Sequence, residues 1–352
     1  MLKNITKLNV FYLVLRSRAV GRALLCLYLC AAVGTVERAS AATADLSQVT
    51  IVVGTPNKTG LERELIASGE DQGTPYAIKW AVFDSTLPLT EALRAGRVDV
   101  AAGGETGVLF AIAHGAQIAV LGATRYSGPS GSAILVRKDS PLQSVSDLRG
   151  AAIALPYYTA QHYQLAKVLD KVGIPWDSRK ILNLDTSNGL FSLLSGRVDA
   201  FVVWDPNVAI AQTEHGARVI AFLDRTVQPA GMLYANAADL RDPAKTAALK
   251  DLTRRILRAR AWVNAHPDIW AAQMSSIAQV PLAAARLTVS RATARYLPAD
   301  TPDVLAAWQQ EIAYFHTIGL FGRTFDIKDN LVPGFDDIIN AENAGLVADR
   351  HE

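Results

Sequence analysis

The tetrapeptide Gly-Arg-Val-Asp occurs twice, at residues 96–99 and 196–199, inside LTEALRAGRVDVAAGGETG and LFSLLSGRVDAFVVWDP. In both places it ends an amphipathic helical pattern and starts a short apolar run. The glycine suits the left-handed position that closes a helix, and the arginine complements the negative end of the helix dipole. Val-Asp then opens a strand. Beyond that strand a loop leads into a new helix, Gly-Gly-Glu-Thr-Gly in the first copy and Trp-Asp-Pro-Asn in the second. A chain that repeats one helix exit in this way is expected to build two similar α/β units.

The pattern on either side agrees. Strands predicted at Val49–Val53 and Tyr76–Phe83 alternate with helices over loop lengths typical of βα units, which predicts open, mostly parallel sheets. AAIALP begins a second series that ends with ARVIAFL, and from GMLYAN onward the pattern is mainly helical. Those late helices are expected to return to the first unit. The predicted organisation is α/β, with lobe 1 formed by 45–140 and 223–345, lobe 2 by 141–222, and a hinged cleft between them. Ligands of open α/β sheets bind outside the carboxyl ends of strands, so the loops after the two Val-Asp strands are expected to face that cleft.

The N-terminal segment is a separate object. Residues 1–22 hold Lys3, Lys7, Arg16, Arg18 and Arg22 with no acid, followed by the short apolar run ALLCLYLCAAVGTV and then RASAATAD. A basic head, a short apolar middle and a small-residue exit predict a secretory signal peptide over 1–41, cleaved after Ala41 or Ala44. The remainder holds 29 basic and 32 acidic residues, a net charge of −3, which predicts no nucleic-acid partner. Cys26 and Cys30 both lie in the excised segment, leaving no thiol for a disulfide, a metal site or a nucleophile. The sequence contains no Gly-x-Ser-x-Gly elbow, GxGxxG, P-loop or HExxH motif. No catalytic residue, metal or cofactor is therefore expected.

Four stretches then point to a family: EALRAGRVDVAAGGETG, GSAILVRKDSPLQSVSDLRGAAIAL, YYTAQHYQLAKVLDKVGI and LLSGRVDAFVVWDPNVAIAQ. Together they resemble the periplasmic substrate-binding proteins of ABC importers for aliphatic sulfonates, taurine and nitrate, and the related thiamine-pyrimidine binders. The resemblance spans roughly Val49 to Ala341. It implies a type II periplasmic-binding-protein fold, closure on one small anionic ligand, a periplasmic location and a monomer that delivers to an ABC permease in the inner membrane. It also implies that the ligand's anionic head meets amides and hydroxyls at helix N-termini, which bind anions through unpaired N–H groups and partial positive charge. Carried onto this chain, the ligand loops supply Thr55, Asn57 and Lys58; Gly104, Glu105 and Thr106; Tyr126 and Ser127; Tyr157, Tyr158, Thr159 and His162; and Trp204 and Asp205.

Departures from the family pattern matter. Gly104-Glu105-Thr106-Gly107 stands where the family usually has Gly-Asp/Asn-Thr-Pro, and a Glu105 in the cleft would repel an anion or receive a ligand's ammonium; a solvated acid in the first helical turn, favoured by the dipole, is its alternative. Tyr157 and Tyr158 replace small residues, which suggests a flatter or more aromatic ligand; packing against the hinge is the alternative. Arg125, at a predicted strand end, is the candidate for direct anion pairing, because a guanidinium matches the geometry of an oxyanion. An ion pair at the hinge is its alternative. Asp205 is read as a cap on the helix after Pro206, and His162 as structural or a hydrogen-bond donor. Nitrate, a thiamine pyrimidine, an aromatic acid, or an enzyme built on the same fold remain alternatives to a sulfonate binder.

Overall fold

The computed structural model describes residues 45–56, 59–127, 131–177, 179–223 and 230–348. The segment expected to be a signal peptide lies outside them. The first α/β series runs β1 (Thr50–Thr55), α1 (Leu61–Ser68), β2 (Ala77–Val82), α2 (Thr86–Arg94), β3 (Val100–Gly103), α3 (Glu105–Ala113) and β4 (Ile118–Tyr126). The second runs β5 (Ala133–Val136), β6 (Ile153–Leu155), α4 (Ala160–Lys171), β7 (Ile181–Asn183), α5 (Thr186–Leu194), β8 (Ala200–Val203), α6 (Asn207–His215) and β9 (Arg218–Phe222). The chain then continues through β10 (Gly231–Asn236), α7 (Pro243–Ala265), α8 (Pro267–Ala278), α9 (Leu282–Arg291), β11 (Ala294–Leu297), α10 (Pro302–Thr317) and α11 (Asp336–Ala348).

Two sheets result. The first has the order β11-β4-β10-β3-β1-β2 and the second β7-β6-β8-β5-β9. Strands joined by helical crossovers pair in parallel, β1 with β2 and β3, and β6 with β7 and β8. The strands that follow each crossing between sheets run antiparallel: β5 inserts between β8 and β9, and β10 between β3 and β4.

Three sequence expectations need correction. Ala133–Val136, read as part of the first lobe, is a central strand of the second sheet. All four residues are buried, with Ala133 and Leu135 in one core and Ile134 and Val136 in the other. An uninterrupted apolar run of this kind carries no mark of which sheet receives it. GMLYAN, read as the start of the helical region, is β10, and a further strand, β11, interrupts the late helices. Helices α8 and α9, assigned by sequence to the first lobe, pack on α6 of the second series through Ala209, Trp270, Ala271 and Met274.

The two Gly-Arg-Val-Asp copies do the same work in the two sheets. Gly96 and Gly196 have φ of 69° and 75°, the left-handed region that ends each helix. The Asp99 N–H donates to Val52 O at 2.9 Å, while its carboxylate accepts from Val52 N–H at 2.6 Å. The Asp199 N–H donates to Ala152 O at 2.8 Å, and its carboxylate accepts from Ala152 N–H at 2.8 Å. Each aspartate thus clasps the neighbouring parallel strand from both its backbone and its side chain. Asp99 is buried and also bonds Lys245 Nζ at 2.8 Å, whereas Asp199 is exposed. Asp99→Ala is expected to lower unfolding free energy by about 1.5–3 kcal/mol, the range for a hydrogen bond to a charged group, and Asp199→Ala by roughly 0.5–1.5 kcal/mol. Denaturant melts of both variants measure the difference.

Candidate functional site

A cavity of about 260 Å³ lies between the two sheets. Strand ends and helix starts surround it, as the topology requires. The residues at the N-caps of α1, α2, α3 and α4, which are Gly60, Ser85, Gly104 and Thr159, all line it. Gly60 and Gly104 have no side chain to cap with, and neither Ser85 nor Thr159 caps its own helix; the Thr159 hydroxyl donates instead to Pro156 O at 2.7 Å. Two helices that start elsewhere do carry side-chain caps. Asp185 accepts from Asn188 N–H at the start of α5, and Asp242 from Ala244 and Lys245 N–H at the start of α7. A Cβ placed on Gly104 would lie 3.9 Å from that of Ala160, so the starts of α3 and α4, one from each sheet, approach each other across the cavity.

A helix N-terminus without a side-chain cap keeps first-turn N–H groups and about half a unit of positive charge available to an anion. Three such termini, with a fourth at which the Glu105 carboxyl bonds its own N–H, make a polar end that needs no lone cation. Trp204 and Leu61, with Trp270 and Met274 of α8, supply apolar wall. Gln161 Nε2 donates to Ser132 Oγ at 2.5 Å, and the buried Thr288 Oγ1 has no partner among the described residues.

The charges at the cavity fall into pairs with one exception. Glu64 and Arg260 form a buried ion pair, their side chains only 5% and 12% exposed. Asp205 accepts from Ala209 N–H at 2.9 Å, capping α6, and pairs with Arg291 at 3.3 Å. Glu105 is the exception. It is 3% exposed, and its Oε2 is buried without a partner. Burial pushes its carboxyl up to about 7, against an opposing hydrogen bond from its own backbone N–H. Behind it, the buried Glu311 accepts a hydrogen bond from the Thr106 hydroxyl. Burial, and then the charge of Glu105, hold the Glu311 carboxyl well above the usual range.

Of the residues singled out by sequence, Gly104, Glu105, Tyr126, Thr159, Trp204 and Asp205 line the cavity. Asn57 and Lys58 lie outside the described residues. The others are elsewhere. Thr55 is buried at the end of β1, Thr106 turns to Glu311, and Ser127 is exposed with its N–H bonded to Thr293 O at 2.8 Å. Arg125 pairs with Asp303, not with the cavity. The reason is the strand period: Thr124 and Tyr126 face the cavity, so Arg125 between them points to the other side of the sheet. The guanidinium that does reach the cavity is Arg260, deep in α7, which sequence reasoning missed together with Glu64, Gln161 and Thr288. No motif surrounds these residues. The available signal was a charged residue on the packed face of a long helix.

Tyr157, Tyr158 and His162 belong to an aromatic cluster that ties the second series to the first. The Tyr158 ring meets Phe110 at 4.7 Å, and His162 meets Phe315 at 5.5 Å. Tyr157 stacks on His162 at 4.7 Å and donates its hydroxyl to Ile181 O at 2.6 Å. The cluster fills the space beside α3 and α10, so the two tyrosines pack between elements and do not shape the ligand cavity.

Residues 84–269 match the family described as NMT1/THI5 like. The chain belongs to the NMT1/THI5-like family. A protein of Escherichia coli (strain K12) named as an aliphatic sulfonates-binding protein is 29% identical over 143 residues, covering 41% of this chain and 44% of its own length. A taurine-binding periplasmic protein of the same strain is 25% identical over 206 residues, 58% of this chain and 62% of its own. The matched region thus spans less than two thirds of either curated relative. Among solved structures, the alkanesulfonate-binding protein of Xanthomonas axonopodis pv. citri bound to MOPS superposes with a TM-score of 0.73 at 23% identity, covering 80% of this chain and 98% of that one. The NMT1/THI5-like chain therefore has a periplasmic-binding-protein fold.

The aromatic cluster has a pH signature. His162 Nδ1 accepts from Tyr158 N–H at 3.3 Å, which requires that nitrogen to be unprotonated. Burial pushes the imidazole down to about 4 from its ordinary 6.5. A base depressed in the folded state contributes stability above its unfolded value and loses it as pH falls toward the folded one. Acidification from about pH 6.5 to about pH 4 is expected to remove about 3 kcal/mol through this residue. Denaturant melts across that range should show a smaller acid loss in His162→Gln, which keeps an acceptor but cannot protonate.

Proposed function

We propose that this chain is the extracytoplasmic solute-binding component of an ABC importer and takes a small sulfonate-like anion between its two sheets. The observation that carries this reading is the meeting at one cavity of four helix N-termini whose N-cap residues make no side-chain cap. A tetrahedral oxyanion with an apolar tail matches that site, with its oxygens toward the N–H groups and its tail along Trp204 and Trp270. The names of the relatives, sulfonates- and taurine-binding, support the same class of ligand. None of the described residues lining the cavity is a cysteine or histidine.

Lining residues come from both sheets, so a ligand here stabilises the arrangement that joins them. A membrane permease would recognise that ligand-stabilised form, and the free energy available for the change is the ligand's preference for it. Delivery to a permease is consistent with the described chain itself, in which no helix is long and apolar enough to cross a membrane.

Two measurements test the proposal. Ethanesulfonate or taurine should raise the melting temperature with concentration, equivalent to about 2.7 kcal/mol at a hundredfold excess over Kd; a shift with nitrate or a pyrimidine but with no sulfonate would remove the ligand class. Thr159→Asp places a carboxylate at the uncapped start of α4. Because Asp is a better cap than Thr, the unliganded variant should be at least as stable as the parent. Its sulfonate affinity should fall roughly tenfold or more, since the carboxylate takes the N–H groups and repels the anion.

A further inference from the structure

Glu105 is out of place in an anion site. It opens α3, its side chain is almost fully buried at the cavity, and its Oε2 has no hydrogen-bond partner. Its own backbone N–H bonds the carboxyl group, so the carboxyl sits over the start of α3, where an anion would bind. The other acids at the cavity are matched, Glu64 by Arg260 and Asp205 by Arg291. No such ion pair forms at Glu105 among the described residues.

The groups around it do not favour a negative charge. From α10 comes Glu311, a second buried carboxyl, whose hydrogen bond is from the neutral Thr106 hydroxyl. Tyr163 from α4 and Tyr126 from β4 lie within electrostatic reach, and β10, packed against α3, carries the buried Tyr234. From α2, Glu91 and Arg94 pair with each other at the surface. Arg260, which lines the cavity, is already committed to Glu64. Two buried carboxyls side by side without a cation cannot both ionise at modest cost.

We propose that Glu105 recognises the ligand as a neutral carboxylic acid. Its Oε2 carries a proton and donates it as a hydrogen bond to the anionic head, so where the empty site is ionised each anion bound brings a proton from solvent into the cavity. This rests on the sulfonate reading above. A sulfonate stays ionised throughout the range in which proteins are folded, so the proton resides on Glu105. An ionised Glu105 would oppose the anion at the same helix start. The residue thereby sets the pH range in which the site accepts its ligand, and its placement near neutrality by burial puts that range where it can be measured.

The sign of the linkage is definite. An arriving anion favours protonated Glu105, so affinity is highest at low pH and falls as pH rises through the ionisation of the empty site. Ethanesulfonate is titrated calorimetrically into the purified protein at about pH 6 and about pH 8, in pairs of buffers with different ionisation enthalpies. The expected results are a roughly tenfold weaker Kd at the higher pH and uptake of nearly one proton per ligand there. Glu105→Gln, which keeps a donor but cannot ionise, should flatten the profile. Equal affinity at both pH values in the wild type overturns the proposal. So does proton release with taurine together with selective loss of taurine binding in Glu105→Gln, which would assign an ionised Glu105 to the ligand's ammonium. Absence of binding by either sulfonate at both pH values overturns the sulfonate reading itself, and this inference with it.

Discussion

The double clasp made by Asp99 and Asp199 is the constraint on which the rest of the site depends. A parallel sheet gives its strands no hairpin to set their register. Here each Val-Asp strand is fixed at its first residue, by a backbone and a carboxylate bond to the same neighbour, Val52 in one sheet and Ala152 in the other. From that fixed point β3 and β8 each run four residues and end at the cavity, at Gly104-Glu105 and Trp204-Asp205. The same offset brings an acid to the same place in both sheets. What differs is the company each acid keeps. Asp205 caps α6 and meets Arg291, whereas Glu105 meets Glu311.

That difference shows how the cavity can be rich in acids and still leave a face suited to the anion proposed for it. Glu64 and Asp205 are neutralised by arginines that are themselves largely buried, and those pairs hold α7 to α1 and α9 to the start of α6. They act as struts between elements. The electrostatic face left toward the ligand is that of the backbone, through helix starts whose caps are glycine, serine or an otherwise engaged threonine. Charged caps bond first-turn N–H groups at α5 and α7, away from the cavity, and at α6, where Asp205 lines the cavity and is neutralised by Arg291.

Much of this was legible before any coordinates. The alternation of strands and helices, the helix exits at Gly96 and Gly196, and the loops at Gly104 and Trp204 are all local patterns with local physical causes. Residues were misplaced where the cause is not local. Arg125 looked exposed to the cleft because it ends a strand, but alternation along that strand turns it away and gives the position to its neighbours. Arg260 reaches the cavity only because α7 packs across the first sheet, a fact with no mark near residue 260. Tyr157 and Tyr158 look like ligand walls until the distant Phe110 and Phe315 are seen to occupy their faces. The Ala133–Val136 strand is apolar throughout, and nothing in four apolar letters says which sheet they join.

The manner in which the two sheets are joined bears on how such a site could release what it holds. The aromatic cluster packs Tyr158 and His162 against Phe110 and Phe315, and α8 and α9 pack on α6. These apolar contacts favour the joined form even before a ligand arrives, leaving a smaller free-energy change for the ligand to supply. A ligand held by helix starts gains only about 0.3–1 kcal/mol from each exposed terminus, rising to about 2 kcal/mol in a buried one. Strength then comes from several termini acting together, drawn from both sheets. Separation of the sheets would remove the α4 contribution from those of α1, α2 and α3 in one step and would admit water to all of them. A lone arginine on one sheet would instead keep its anion through that movement. A site of distributed backbone donors therefore binds firmly while joined and weakly once parted, which is the property a carrier of one small anion requires.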